Sequence, residues 1–259
     1  MQNNRIRYEV AMASAKELVA NIEEVFAKCD KTIHCGRNEI RELEYEGRQV
    51  LIKRYGRPNI FSRVYYSISN NSKARRAMLN ATKLTEMGIE TARAVGYADV
   101  WRGWLYEYSY AITEKAEGKS LRELKPVDEP TTRAYAKFVA LLHKKGVAHR
   151  DLNPSNVIVR REGEELHFAV IDVNRMKTYG AGEAPEKYRH HDIMCAPYED
   201  NEMFAVFAEE YLRAMGTLSD ERLRELIEDK RKDRQVQIRR DNRRWKNKVK
   251  EWWYGRKVD

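Results

Sequence analysis

Residues 31–55, KTIHCGRNEIRELEYEGRQVLIKRY, constrain the fold more than any other stretch of the chain. Turn signals at Gly36-Arg37-Asn38 and Glu46-Gly47 divide it into three segments, and glycine supplies the positive φ of a tight hairpin. Strands joined this closely are antiparallel, and at least one face of their sheet needs an apolar cover. Residues 11–28 offer one cover, a helix with Leu18, Ile22, Val25 and Phe26 on its apolar side. A second helix is predicted from Ser72 to Met87, where Ala74, Ala77, Met78, Ala81 and Leu84 recur at i, i+3, i+4, with Gly88 as its cap. Two more strands are expected over Ala94–Val100 and Trp104–Thr113, with Trp101 and Trp104 as strand-packing side chains.

The second half has a different rhythm. A helix runs from Pro130 to Gly146, with His143 placed to meet its C-terminal dipole. Residues 157–172 read as a short hairpin, and residues 199–215 and 219–252 as helices. The chain is therefore expected to be α+β, a small antiparallel β-rich half followed by a mainly helical one, joined near residues 114–120.

Among 259 residues, Cys29, Cys35 and Cys195 have no disulfide spacing, which suits a reducing compartment. No run of about 18 apolar residues marks a membrane span, and the N-terminus has no signal-peptide core. The net charge of +9 is confined to one end. Residues 230–259 hold 13 Lys and Arg against 4 Asp and Glu, which leaves 36 against 36 for residues 1–229.

Three polar sites stand in order along the chain. Lys53 ends a strand, His149-Arg150-Asp151 and Asn156 lie in a loop, and Asp172 ends a later strand. Phosphoryl transfer needs a cation for the α- and β-phosphates, oxygen ligands for magnesium, and a carboxylate that orients the attacking hydroxyl. Lys53 suits the first task, Asn156 with Asp172 the second and Asp151 the third.

The loop HRDLNPSN resembles the protein-kinase catalytic loop, IDVN the metal-binding Asp-Phe-Gly signature, and VLIK the strand that bears the kinase lysine. DLNPSN followed by IDVNRM, with GRNEI, VLIKRYGRPN and SKARRA…GIETARAVGY before them, is more similar still to the lipopolysaccharide kinase family. That family phosphorylates inner-core sugars such as Kdo. The resemblance covers roughly residues 30–195.

It implies a two-lobed, protein-kinase-like fold with an N-lobe over 1–116, a C-lobe over 117–229 and a tail over 230–259. It also implies an ATP:sugar phosphotransferase with ATP and Mg²⁺ as cofactors and a lipid-linked saccharide as acceptor, placed in the cytoplasm at the inner membrane. In its terms the backbone at Glu114 and Ala116 is the hinge that meets adenine, and the Gly36 turn stands where backbone N–H groups cover phosphates. A plain turn at Gly36 is the competing reading.

Several departures are as informative. No G-x-G-x-x-G is present, and Asn174 stands where ordinary kinases have glycine. Ala184-Pro185-Glu186 spells a kinase box but follows Asp172 too closely. Residues 47–85 contain nine Lys and Arg and no Asp or Glu, so no acid on the following helix is placed to hold Lys53. Asn80, an acid from elsewhere, or an impaired enzyme are the open answers. A non-catalytic kinase-like module and a protein kinase are the alternative functions. The basic stretch itself offers Arg57, Arg63, Lys73, Arg75 and Arg76 to an anionic acceptor.

In the tail, Trp245, Val249, Trp252 and Trp253 fall on one helical face with basic residues around them. This is the pattern of an interfacial helix, so residues 230–257 are expected on an anionic membrane surface. Packing on the body competes with that reading, and nucleic acid is the less expected partner.

Overall fold

The computed structural model describes residues 4–124, 126–180, 182–198 and 201–255. The elements are β1 (Asn4–Val10), α1 (Lys16–Ala20), α2 (Ile22–Lys28), β2 (Lys31–Cys35), β3 (Glu39–Tyr45), β4 (Arg48–Tyr55), α3 (Ile60–Ser69) and α4 (Lys73–Glu86). They continue with β5 (Ala94–Arg102), β6 (Leu105–Glu114), β7 (Lys119–Ser120), α5 (Glu129–Lys144), β8 (Val147–Ala148), β9 (Val157–Glu162) and β10 (Glu165–Val170). The last are β11 (Lys177–Thr178), α6 (Glu186–Met194), α7 (Asn201–Met215) and α8 (Asp220–Gly255).

One six-stranded antiparallel sheet, in the order β1-β5-β6-β4-β3-β2, forms the first lobe. Glu46 and Gly47 both adopt positive φ, 50° and 73°, the signature of a two-residue type I′ hairpin between β3 and β4. The alternation of strand side chains then sorts the sheet into two faces. Val50, Ile52, Ala98, Tyr110 and Ile112 pack under Leu18, Val19, Ile22 and Phe26 of α1 and α2. The other face carries Tyr55, Tyr97 and Ala111 and is covered by Ala77, Met78, Ala81 and Leu84 of α4. That second cluster runs on into α5 and α7, so α4 joins the sheet to the helical lobe.

The N-terminal helix is broken at Asn21, whose side chain donates to the Glu17 carbonyl O at 3.1 Å. β1, α3 and α6 have no counterpart among the sequence expectations. β1 pairs along its whole length with β5, a contact between distant segments that no local pattern announces. α5 begins at Asp128, whose carboxylate accepts from Thr131 N, and holds its proline in the first turn, where the missing N–H does no harm. His143 does not serve as an exposed dipole partner: it is fully buried, its Nδ1 2.9 Å from the Tyr211 hydroxyl. Trp101 packs its ring edge-on to Tyr106, whereas Trp104 is exposed at the β5–β6 tip.

Candidate active site

Lys53 leaves β4 on the face shared with Tyr55, the face that α4 covers and that looks toward the helical lobe. Its Nζ lies 2.7 Å from Asp172 Oδ2, which answers the question of its partner. The acid comes from the far side of the cleft and not from α4. Asn80, the candidate on α4, instead donates to the carbonyls of Val173 and Met176, at 2.7 and 3.2 Å. Arg76 donates to the Asn174 carbonyl O at 3.1 Å. One face of α4 therefore grips the backbone after Asp172 and sets that carboxylate opposite Lys53. Burial pushes the Asp172 carboxyl up, but the Lys53 ammonium and the Asn174 side-chain amide outweigh it and hold it below the usual aspartate range.

The catalytic-loop candidate is as tightly tied. Asn156 donates to the Asp151 carbonyl O at 2.9 Å, and its own carbonyl O accepts from Ile171 N at 2.9 Å, which joins the loop to the Asp172 segment. His149 Nε2 donates to the Ile171 carbonyl O at 3.0 Å, a second tie across the same seam. Asp151 Oδ1 accepts from the Asn153 side chain at 3.3 Å, and Oδ2 lies 3.6 Å from Arg175. Arg150 and Asp172 are two of the four non-glycine residues with positive φ among the described residues, at 64° and 57°. Left-handed backbone costs about 1–2 kcal/mol at such residues, so packing and hydrogen bonds around them must hold it.

Asp192 supplies that restraint at Arg150, and it is a residue sequence reasoning missed. Its two oxygens accept from His149 N at 2.7 Å and Arg150 N at 2.8 Å, in a setting where Asp192 is 1% exposed. Burial pushes its carboxyl up, and the neighbouring His143 and His191 more than offset this, holding it at about 2. Nothing local flags it, since α6 itself was not expected and the two N–H groups it serves lie 43 and 42 positions earlier in the chain.

A cation cluster surrounds the Lys53–Asp172 pair. Burial of Lys73, with the guanidiniums of Arg37, Arg175 and Arg76 nearby, holds its ammonium below the ordinary lysine range. The Gly36 turn is fastened to the end of β4, because Asn38 Oδ1 accepts from Gly56 N at 3.2 Å. A Cβ at Gly56 would stand 2.1 Å from the Arg37 carbonyl O, so glycine alone permits this contact. At the expected hinge, Glu114 N donates to the Arg93 carbonyl O at 2.8 Å and its carboxylate pairs with Arg48 at 2.5 Å, while Ala116 follows, half-buried. Of the basic residues offered to an acceptor, Arg57 and Arg63 are instead paired with Glu107. An open cavity of about 630 Å³ is lined by Arg76, Arg150, Arg175, Lys177 and Lys187, with no carboxylate among its described lining residues, and it meets Asp151 through its chain neighbour Arg150 and through Arg175, 3.6 Å from Oδ2.

His143 and His149 add a pH dependence. Burial, partly opposed by Asp192, holds both below the usual 6.5, and the Nδ1 of His149 is buried with no partner among the described residues. The stability they contribute is present above pH 6.5 and is lost as pH falls below it, because the unfolded chain binds those protons more readily. Asp99, pushed up by burial to about 6 from 3.8, offsets part of that loss lower in the range. The melting temperature is expected to fall from pH 7 to 5, and less steeply in His149→Gln, whose amide can keep the bond to Ile171. An equal slope in both proteins would remove His149 from the account.

A small antiparallel sheet over a helical lobe, with Lys53, Asp151, Asn156 and Asp172 meeting at the seam, is the architecture of the protein-kinase-like phosphotransferases. Solved structures agree on the fold. WaaP in complex with acyl carrier protein is similar with a TM-score of 0.61 at 20% identity, over 88% of this chain and 98% of that one. The Rio2 kinase–ADP/Mg²⁺–phosphoaspartate complex from Chaetomium thermophilum is similar with a TM-score of 0.51 at 18% identity, over 89% and 76%. Among curated proteins of Dictyostelium discoideum, a "probable myosin light chain kinase" is 44% identical over 48 residues, 18% of this chain. A "probable serine/threonine-protein kinase" of the same organism is 30% identical over 112 residues, 42% of this chain. The matched region is 14% of the length of each. The profile of the lipopolysaccharide kinase (Kdo/WaaP) family matches residues 41–194, more than half of the chain. The chain belongs to the lipopolysaccharide kinase (Kdo/WaaP) family.

Proposed function

We propose that the protein is an ATP-dependent phosphotransferase acting on a hydroxyl of an inner-core sugar, Kdo or a close relative, of a lipid-linked saccharide at the cytoplasmic face of the inner membrane. The observation that carries this reading is the single hydrogen-bonded unit formed by Asp151, Asn156 and Asp172 opposite Lys53, at the mouth of a cation-lined cavity.

Lys53, supported by Lys73 and Arg37, neutralises the nucleotide phosphates beneath the Gly36 turn, and the backbone at Glu114 and Ala116 meets the base. Asn156 and Asp172 suit Mg²⁺ chemically. One is a carboxylate held below its usual range, and the other uses its amide N–H on Asp151 and keeps a neutral oxygen for a hard cation. That cation supplies charge neutralisation on the transferring phosphoryl group. Asp151 orients the acceptor hydroxyl and takes its proton, while Arg175 stands beside the same carboxylate. The cavity cations suit an acceptor that carries phosphate or carboxylate groups.

α8 is 36 residues long, and its first part is tied to the body by Arg222–Glu186 at 2.7 Å and His190–Asp229 at 3.1 Å. Trp245 is exposed, whereas the side chains of Val249, Trp252 and Trp253 lie outside the described residues. No helix among the described residues is long and apolar enough to cross a membrane. Residues 230–257 remain the proposed contact with an anionic membrane surface.

The test is incubation with Mg-ATP and Kdo–lipid A, with and without an acyl carrier protein, beside an Asp172→Asn control, followed by mass spectrometry of the glycolipid. Gain of one phosphate with the wild type alone is expected. No transfer and no thermal stabilisation by Mg-ATP would overturn the reading in favour of a non-catalytic module, since a ligand bound to the native state must raise its melting point. Autophosphorylation without glycolipid would point to a protein kinase.

A further inference from the structure

α3 packs in the reverse of the usual sense. Its buried residue is Arg63, whose Nε donates to the Tyr106 carbonyl O at 2.8 Å and whose guanidinium pairs with Glu107. Val64 and Tyr66 are half-buried, Tyr66 against Tyr106, but three other apolar side chains face outward: Phe61 is 84%, Tyr65 55% and Ile68 80% exposed. Their i, i+4, i+7 spacing places them in one stripe along the helix. Ser67 Oγ accepts from Tyr106 N at 2.9 Å, which sets the end of α3 beside the β5–β6 tip, where Trp104 is 70% exposed. Single exposed apolar residues are ordinary, but a stripe of three with a tryptophan beside it marks a contact surface.

The charge around the stripe says what the contact is. Glu107 is buried beneath Arg57 at 2.7 Å, Arg102 at 3.8 Å and Arg63, so three guanidiniums meet one carboxylate. At the other end of α3, Arg7 donates to Asn70. No acid occurs from residue 47 to residue 85, a span that contains the whole helix. An apolar stripe that includes Tyr and Trp, with a rim of arginines and an excess of positive charge, is complementary to the headgroup level of an anionic bilayer.

We propose that α3 and Trp104 form a docking surface for an anionic membrane, with Phe61, Ile68 and Trp104 entering the interface and Arg57 and Arg102 meeting lipid phosphates. The chain passes from α3 through Asn70 to Asn71, which lines the cavity beside Asp151, so docking here brings the cavity to the membrane surface. The surface is separate from the tail over 230–257, and it rests on the proposed function only for its purpose.

The test is flotation of the full chain with vesicles of phosphatidylglycerol and phosphatidylethanolamine, and with neutral phosphatidylcholine vesicles for comparison. Wild type is expected to bind the anionic vesicles and to bind the neutral ones less. The Phe61→Ser/Ile68→Ser/Trp104→Ser variant is expected to lose about tenfold or more in partitioning, the direction set by the apolar area withdrawn from the interface. Its melting temperature and stabilisation by Mg-ATP should stay at wild-type values, since all three side chains are exposed. A Trp245→Ala/Trp252→Ala/Trp253→Ala variant separates the tail's contribution. Absence of wild-type binding, unchanged partitioning of the α3 variant, or a loss confined to the tail variant would overturn the proposal. So would a dimer that forms in the wild type and dissociates in the α3 variant. Vesicle binding needs neither nucleotide nor acceptor, so its failure and failure of the enzymatic reading are told apart.

Discussion

Asp151→Asn is expected to lower kcat for phosphate transfer by about 10²–10⁴, the range that a positioned general base contributes. Asparagine keeps the size of the side chain, and its carbonyl oxygen can still accept from the Asn153 amide that now reaches Asp151 Oδ1 at 3.3 Å. It cannot accept the proton of the attacking hydroxyl, and it presents no charge to Arg175, 3.6 Å from Oδ2. The Asn156 bond to Asp151 is made to its backbone carbonyl, so the tie between the loop and the Asp172 segment survives the substitution. Stabilisation by Mg-ATP should therefore persist while turnover falls, which thermal shift and single-turnover rates on the same preparation resolve. An unchanged rate would remove Asp151 from the base's position, and loss of nucleotide binding would assign it to the metal instead.

Asp192→Ala is expected to destabilise the fold by about 3–5 kcal/mol, the range found when one partner of a buried charged network is removed. Truncation leaves the His149 and Arg150 amide N–H groups without their acceptors, and His149 itself is fully buried. Each stranded donor costs about 1–3 kcal/mol, and the left-handed backbone at Arg150 loses what holds it there. Asp192→Asn should do less harm, since its one amide oxygen can serve one of the two donors. Equilibrium denaturation gives the stabilities, and kcat measured well below the melting transition gives the effect on the loop that carries Asp151. A loss in Asp192→Ala below about 1 kcal/mol would mean that solvent or a shifted backbone replaces the carboxylate.

Much of the fold was legible because its signals are local. Ser72 caps α4 by accepting from Arg75 N at 3.1 Å, and the stripe from Ala74 to Leu84 is the face that meets the core. The β3–β4 hairpin and the β9–β10 hairpin followed from turn residues between alternating segments. α3 escaped because its pattern is inverted. An arginine is buried and a phenylalanine is exposed, and periodicity alone cannot tell which face meets the protein. β1 escaped because its evident property, pairing with β5, belongs to a distant part of the chain.

The same division runs through the candidate site. The order of Lys53, Asp151, Asn156 and Asp172, the residue types and their place at the ends of strands and in a turn-rich loop are properties of the sequence alone. They are local facts, carried by side-chain chemistry and by backbone preferences of a few consecutive residues. The partners were decided only by tertiary structure. Lys53 meets Asp172 and not Asn80, Arg57 and Arg63 turn to Glu107, and Asp192 closes the loop from another helix. An ion pair depends on which groups the fold brings within a few ångströms and on how much water remains between them, and no short stretch of sequence carries that information.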